Sequence, residues 1–133
     1  MFTSKSDAEF KTTSVITIDG QLSCFGEACQ SVSDASFIQI SQGVYHGCGI
    51  TTASEISCWG DEGAIGNIPE GKFISVAAGN AQTCALGRNQ ELTCWGEDFF
   101  NVVSSVPEGK MRMVASGGGQ FCALNDEGSL QCW

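Results

Sequence analysis

The chain has 133 residues, 42% of them apolar, and carries 6 Lys and Arg against 15 Asp and Glu, a formal net charge of −9. That length suits one domain with a modest core, and the apolar share excludes a disordered tail. So few cations exclude nucleic acid and anionic lipid surfaces as partners, and with no apolar run of about 18 residues no membrane insertion is expected either; a basic protein partner or a neutral ligand remains.

The opening MFTSKSDAEFKTTS is polar and has no leader-peptide core, so a secreted form implies a leader that this chain lacks. Within it, FTSKS is a faint strand signal. SVITIDGQLSC, residues 14–24, then reads as two short strands about the polar turn IDGQ, followed by Phe25. The next unit opens on the alternating run FIQISQG and continues with CGITTASEISC and Trp59. KFISVAAG leads into CALGRNQELTC and Trp95, and MRMVASG leads into CALNDEGSLQC and Trp133. PEGK stands before the last two leading strands, at 69–72 and 107–110, where Pro and Gly read as a turn feeding each strand. No segment shows a useful period-3.6 apolar stripe, so no helix is expected.

These segments are copies of one unit. The second cysteines fall at Cys24, Cys58, Cys94 and Cys132, giving periods of 34, 36 and 38 residues. Self-similarity of that length signals a solenoid, propeller or array. The approximate units are 1–26, 27–60, 61–96 and 97–133 of a single repeat domain. Short strands, polar turns and an unpaired sheet edge in each unit describe all-β propeller blades.

The 8 cysteines include no C-x-x-C pair, and His46 is the only histidine, so neither a metal site nor another cofactor is expected. An even count at regular spacing fits disulfides in an oxidising compartment. If TCAL and LTCW pair about a turn centred near Asn89, Cys84 faces Cys94 and Leu86 faces Leu92. Opposed residues of a non-hydrogen-bonded antiparallel pair lie about 4.5 Å apart at Cα, within bridging reach. The expected bridges are Cys48 to Cys58, Cys84 to Cys94 and Cys122 to Cys132. In the first unit Ser14 occupies the partner position of Cys24. Cys29, which has no counterpart in the other units, is its parsimonious partner, and two free thiols are the alternative.

The pattern strand, G-x-x-H/Q-x-C-A-L, turn, L-x-C-W-G resembles the RCC1-like β-propeller repeat, in its cysteine-paired extracellular variety. Gly79, Gln82, Cys84, Ala85, Leu86, Leu92, Cys94, Trp95 and Gly96 carry the resemblance, which covers residues 35–133 well and the start poorly. The resemblance implies a ring that usually has seven blades, and four repeats depart from it. The chain is then part of a longer propeller, half of a self-paired homodimer, or a small closed ring. It also implies macromolecular binding through the loop rim, outside the reducing cytosol, as a secreted or cell-surface ectodomain.

No motif places a nucleophile or acid beside His46, and Gln82 and Gln120 share its repeat position, so a framework role is expected and an enzyme is not. Phe25, Trp59, Trp95 and Trp133 read as packing between blades; a lectin that stacks glycans on Trp59, Trp95 and Trp133 is the alternative function. Gly117, Gly118 and Gly119 lack the pattern of a phosphate cradle and read as a strand connection. Glu97, Asp98, Phe99 and Phe100 interrupt the repeat with two acids beside two aromatics, a candidate spot for a protein partner. Asp61, Glu62 and Ile65 are a weaker candidate on the same rim.

Overall fold

The computed structural model describes residues 2–5, 13–25, 35–98, 101–117 and 119–133. Among the described residues, twelve strands form four antiparallel sheets of three, each built from consecutive strands. The first holds β1 (Phe2–Lys5), β2 (Thr13–Ile16) and β3 (Leu22–Phe25); the second β4 (Phe37–Gln42), β5 (His46–Thr51) and β6 (Ile56–Gly60). The third holds β7 (Phe73–Ala78), β8 (Gln82–Gly87) and β9 (Leu92–Gly96), and the fourth β10 (Met111–Ser116), β11 (Phe121–Asn125) and β12 (Leu130–Cys132). The faint signal in FTSKS is thus a leading strand, with Thr3 opposite Val15.

The cysteine spacing acts through register. Cys48 lies opposite Cys58, Cys84 opposite Cys94 and Cys122 opposite Cys132, with Leu86 opposite Leu92. All three pairs are bridged, at Cα separations of 4.0, 4.1 and 4.0 Å. In the first sheet Ser14 lies opposite Cys24, and its hydroxyl donates to the Gln42 side chain at 2.6 Å. Cys24 is disulfide-bonded; Cys29, its expected partner, lies outside the described residues.

The expectation of no helix fails at one place. Glu62–Ile65, α1, is a single helical turn after β6. The Asp61 carboxylate accepts from the Ala64 N–H at 3.0 Å, and Gly66, at φ 64°, ends the turn. Local capping therefore shapes a stretch too short for any periodicity to show. Among the described residues, no helix is long and apolar enough to cross a membrane.

Packing runs from each sheet to the next, with β1 beside β4, β4 beside β7 and β7 beside β10. Three cores fill the three seams. Ile16, Phe37, Ile40 and Trp59 join the first two sheets; Cys48, Ile50, Phe73, Val76, Ala85 and Trp95 join the second and third; Cys84, Leu86, Met111, Val114, Phe121 and Ala123 lie between the third and fourth. Each seam sets a Cys and Leu/Ile face against a face of aromatic and smaller aliphatic residues, Ile40 in the first seam and Val with Ala in the other two. Among the described residues no fourth core joins the last sheet to the first, so the sheets form an arc rather than a closed four-bladed ring.

Candidate functional site

One rim of the arc is formed by the hairpin turns at 17–21, 52–55, 88–91 and 126–129. Each turn holds one residue at positive φ: Gly20 at 80°, Ser54 at 65°, Gln90 at 68° and Gly128 at 87°. The first three offer their carbonyls to the next sheet. Phe37 N–H donates to Gly20 at 2.7 Å, Phe73 N–H to Ser54 at 2.8 Å, and Met111 N–H to Gln90 at 2.7 Å. The leading residue of each blade is thereby pinned to the turn of the blade before it.

The PEGK segments fasten the same seam. Lys72 Nζ donates to the Ala53 carbonyl and to Glu55 at 2.8 and 3.0 Å; Lys110 Nζ donates to the Asn89 carbonyl and to Glu91 at 2.7 and 3.4 Å. Both ion pairs are exposed, so their weight is positional rather than energetic. Under each PEGK lies an equivalent groove. One, of about 590 Å³, is walled by Glu55, Ile56, Ile68, Pro69 and Glu70. The other, of about 450 Å³, is walled by Glu91, Leu92, Val106, Pro107 and Glu108. The rim thus repeats one local chemistry, aliphatic side chains between a lysine-paired glutamate, Glu55 or Glu91, and a second glutamate, Glu70 or Glu108.

Glu97 and Asp98 lie in the exposed connector between the third and fourth sheets. The Asp98 carboxylate accepts from the N–H groups of Val103 and Ser104 at 2.7 and 3.2 Å. Ser104, by its side chain first and then its backbone, together with Val103, holds that carboxyl below the usual carboxylate range. Asp98 therefore shapes its loop, and Phe99 and Phe100 lie outside the described residues. The apolar anchor of this connector is Val102, buried in the seam core; its carbonyl accepts the indole N–H of Trp133 at 2.9 Å. In the connector before it, the Ile65 carbonyl accepts the indole N–H of Trp95 at 2.9 Å. Asp61 and Glu62 are exposed beside it.

Trp59 is fully buried and packs edge-on against Phe37 at 5.7 Å, and its indole N–H donates to Gln42 at 3.3 Å. Trp95 is buried, and Trp133 is half-buried and stacked on Phe121 at 6.0 Å. Protein covers the rings of Trp59 and Trp95, which leaves no open platform there for a sugar. His46 is fully buried in the seam between the second and third sheets, its Nε2 2.6 Å from the Thr83 hydroxyl. Burial pushes its pKa from 6.5 down to about 4, against the opposite pull of the Asn80 backbone and of Asp61. Gly117 donates its N–H to the Gln120 carbonyl at 2.9 Å and closes a strand connection; Gly118 lies outside the described residues. No cluster of three or more metal-ligating side chains occurs among the described residues.

Sequence reasoning missed the groove walls and the row of turn carbonyls. The repeated PEGK and the glycines in the IDGQ and DEGS turns were the available signals for both.

No family model matches the chain, and no curated protein sequence matches it. Its fold is similar to solved structures. It superposes on the CRINKLY WD40 ectodomain of the Arabidopsis thaliana receptor kinase ACR4 at a TM-score of 0.77 and 27% identity, covering 92% of this chain and 46% of that one. For human WBSCR16 the TM-score is 0.76 at 20% identity, over 92% of this chain and 44% of that one. For yeast RCC1 (Prp20), solved bound to Kap60, it is 0.73 at 14% identity, over 96% and 44%. The chain thus spans less than half the length of each of these three, at 46%, 44% and 44%. Sheet order, seam packing and these superpositions together make the chain an arc of RCC1-like β-propeller blades.

Proposed function

We infer that this chain is a disulfide-stapled binding module that works outside the reducing cytosol and holds a basic protein segment on its acidic loop rim. The observation that carries the reading is the pair of equivalent rim grooves, each with aliphatic walls and a second glutamate, Glu70 or Glu108, beside the one that Lys72 or Lys110 already pairs. A lysine- or arginine-bearing segment suits both parts of such a groove, its alkyl stem against Ile68 or Val106 and its charge against Glu70 or Glu108. The formal net charge of −9 adds long-range attraction of the same sign. The three intramolecular bridges support a secreted or cell-surface location, as does the similarity to a receptor-kinase ectodomain. The rim reading needs no catalytic step, and His46, the one histidine, is enclosed in a seam. A glycan reading draws less support, because Trp59 and Trp95 turn no free ring face outward.

The test is a binding panel of basic extracellular domains and Lys/Arg peptides, read against the wild type and the Glu70→Lys/Glu108→Lys variant. Binding that weakens at least tenfold on charge reversal, and weakens with added salt, supports the rim. Affinities unchanged by reversal overturn it.

A further inference from the structure

The two rim grooves belong to consecutive interior seams. Each is walled by the hairpin turn of one blade and the lead-in to the next, first between the second and third sheets, then between the third and fourth. The turn at 88–91 joins them. On one flank, the Arg88 N–H donates to the carbonyl of Lys72, which lines the first groove, at 3.1 Å, and the Arg88 guanidinium donates to Ser54 Oγ at 2.8 Å. On the other flank, the turn receives the lead-in of the second groove. The Asn89 carbonyl accepts from Lys110 Nζ and the Gln90 carbonyl from the Met111 N–H, both at 2.7 Å. Asn89 braces the turn from within, accepting from the Glu91 N–H at 3.1 Å and donating to its carboxylate at 2.8 Å. Hydrogen bonds on both flanks of one turn therefore fix the distance between the grooves. Glu55 and Glu91 already hold lysines, whereas Glu70 and Glu108 are exposed and make no ion pair or hydrogen bond with the described residues.

We propose that the two grooves are subsites for one extended segment, which sets one basic side chain against Glu70 and a second against Glu108; this rests on the rim reading above and adds a spacing to it. Neighbouring sheets stack about 10 Å apart, and an extended chain advances about 3.3 Å per residue with its side chains alternating in direction. Cations at i and i+4 therefore point the same way at about 13 Å, and their flexible stems take up the difference. Cations at i and i+1 point to opposite sides, and only one of them reaches a groove. Arg88 stands exposed on the turn between the grooves, so the residues between the two cations carry no positive charge. Because the turn holds both subsites in place before binding, the second contact forms within one complex and adds affinity without new ordering of the protein.

The test uses the intact chain and two end-capped Gly/Ser peptides of equal length and composition, titrated calorimetrically at low salt. One carries lysines at i and i+4, the other at i and i+1, so net charge is the same. The i, i+4 peptide is expected to bind one per chain and at least tenfold tighter than the other. Glu70→Gln and Glu108→Gln each change an exposed side chain. Either alone is expected to bring the i, i+4 peptide down to the affinity of the i, i+1 peptide, with circular dichroism unchanged. Equal affinities for the two peptides overturn the bridging, as do two peptides bound per chain with one site lost in each variant; both results leave the rim reading standing. Binding that survives the loss of both glutamates, or no saturable binding of either peptide, overturns the rim reading itself.

Discussion

His46 Nε2 lies 2.6 Å from the Thr83 hydroxyl, and this contact crosses the seam between the second and third blades inside a region closed to water. Burial holds the imidazole neutral down to about pH 4, against 6.5 when exposed. Between those values the unfolded chain takes up a proton that the folded chain refuses. Stability is full above pH 6.5 and falls as pH drops towards 4, by about 3 kcal/mol in all. Urea melts at pH 7 and pH 4.5 check this. In His46→Gln, which installs the residue found at the equivalent Gln82 and Gln120, the part of that slope due to the imidazole disappears.

The Cys84–Cys94 bridge joins strands that the hairpin already holds in register. Its main effect falls on the unfolded chain. The Cys84→Ser/Cys94→Ser variant is expected to lose about 3 kcal/mol by the chain-entropy relation, with some addition because the new hydroxyls sit in a dry core. Chemical denaturation of the variant, compared with the wild type without reductant, measures the loss.

Gln90 holds a left-handed backbone at φ 68° while its carbonyl receives Met111. A β-branched residue resists that conformation. Gln90→Val is expected to cost about 1–2 kcal/mol, whereas Gln90→Gly, which copies Gly20 and Gly128, is not. Thermal melts of the two variants side by side separate backbone conformation from loss of the glutamine side chain.

Gly47 lies opposite Trp59 in the second sheet, and a Cβ there would stand 2.5 Å from the indole. Gly47→Ala is expected to destabilise by about 1–3 kcal/mol, with a change in tryptophan fluorescence as the ring is displaced. The equivalent residues are Thr83 and Phe121, so the same substitution at Thr83 should leave the Trp95 emission in place.

The covalent frame was readable because a disulfide on adjacent antiparallel strands needs two residues in register, and ten-residue spacing about a turn of odd length, five residues between Leu86 and Leu92, supplies that. Leu86 opposite Leu92 followed from the same count. Ile40, Val76 and Val114 were readable as inward positions only in part, because irregular pairing just after Phe37, Phe73 and Met111 shifts the alternation. The turn at Glu62–Ile65 was not readable, since four residues span barely one helical period. Val102 went unnoticed beside Phe99 and Phe100, which drew attention by size. The rim grooves were hidden for another reason. Their walls come from two segments about fifteen residues apart that meet only when Lys72 and Lys110 reach back to the preceding turns.

The row of carbonyls at Gly20, Ser54 and Gln90 makes order in this molecule propagate like a zipper. A blade gains its first anchoring bond only when the turn before it has already formed, so coupling is confined to nearest neighbours. Damage near an end then frays one unit and spares the others, whereas a broken hinge in the middle splits the arc into two short stubs. Resistance to proteolysis should therefore be lowest at the outer blades and greatest at the seam that holds His46.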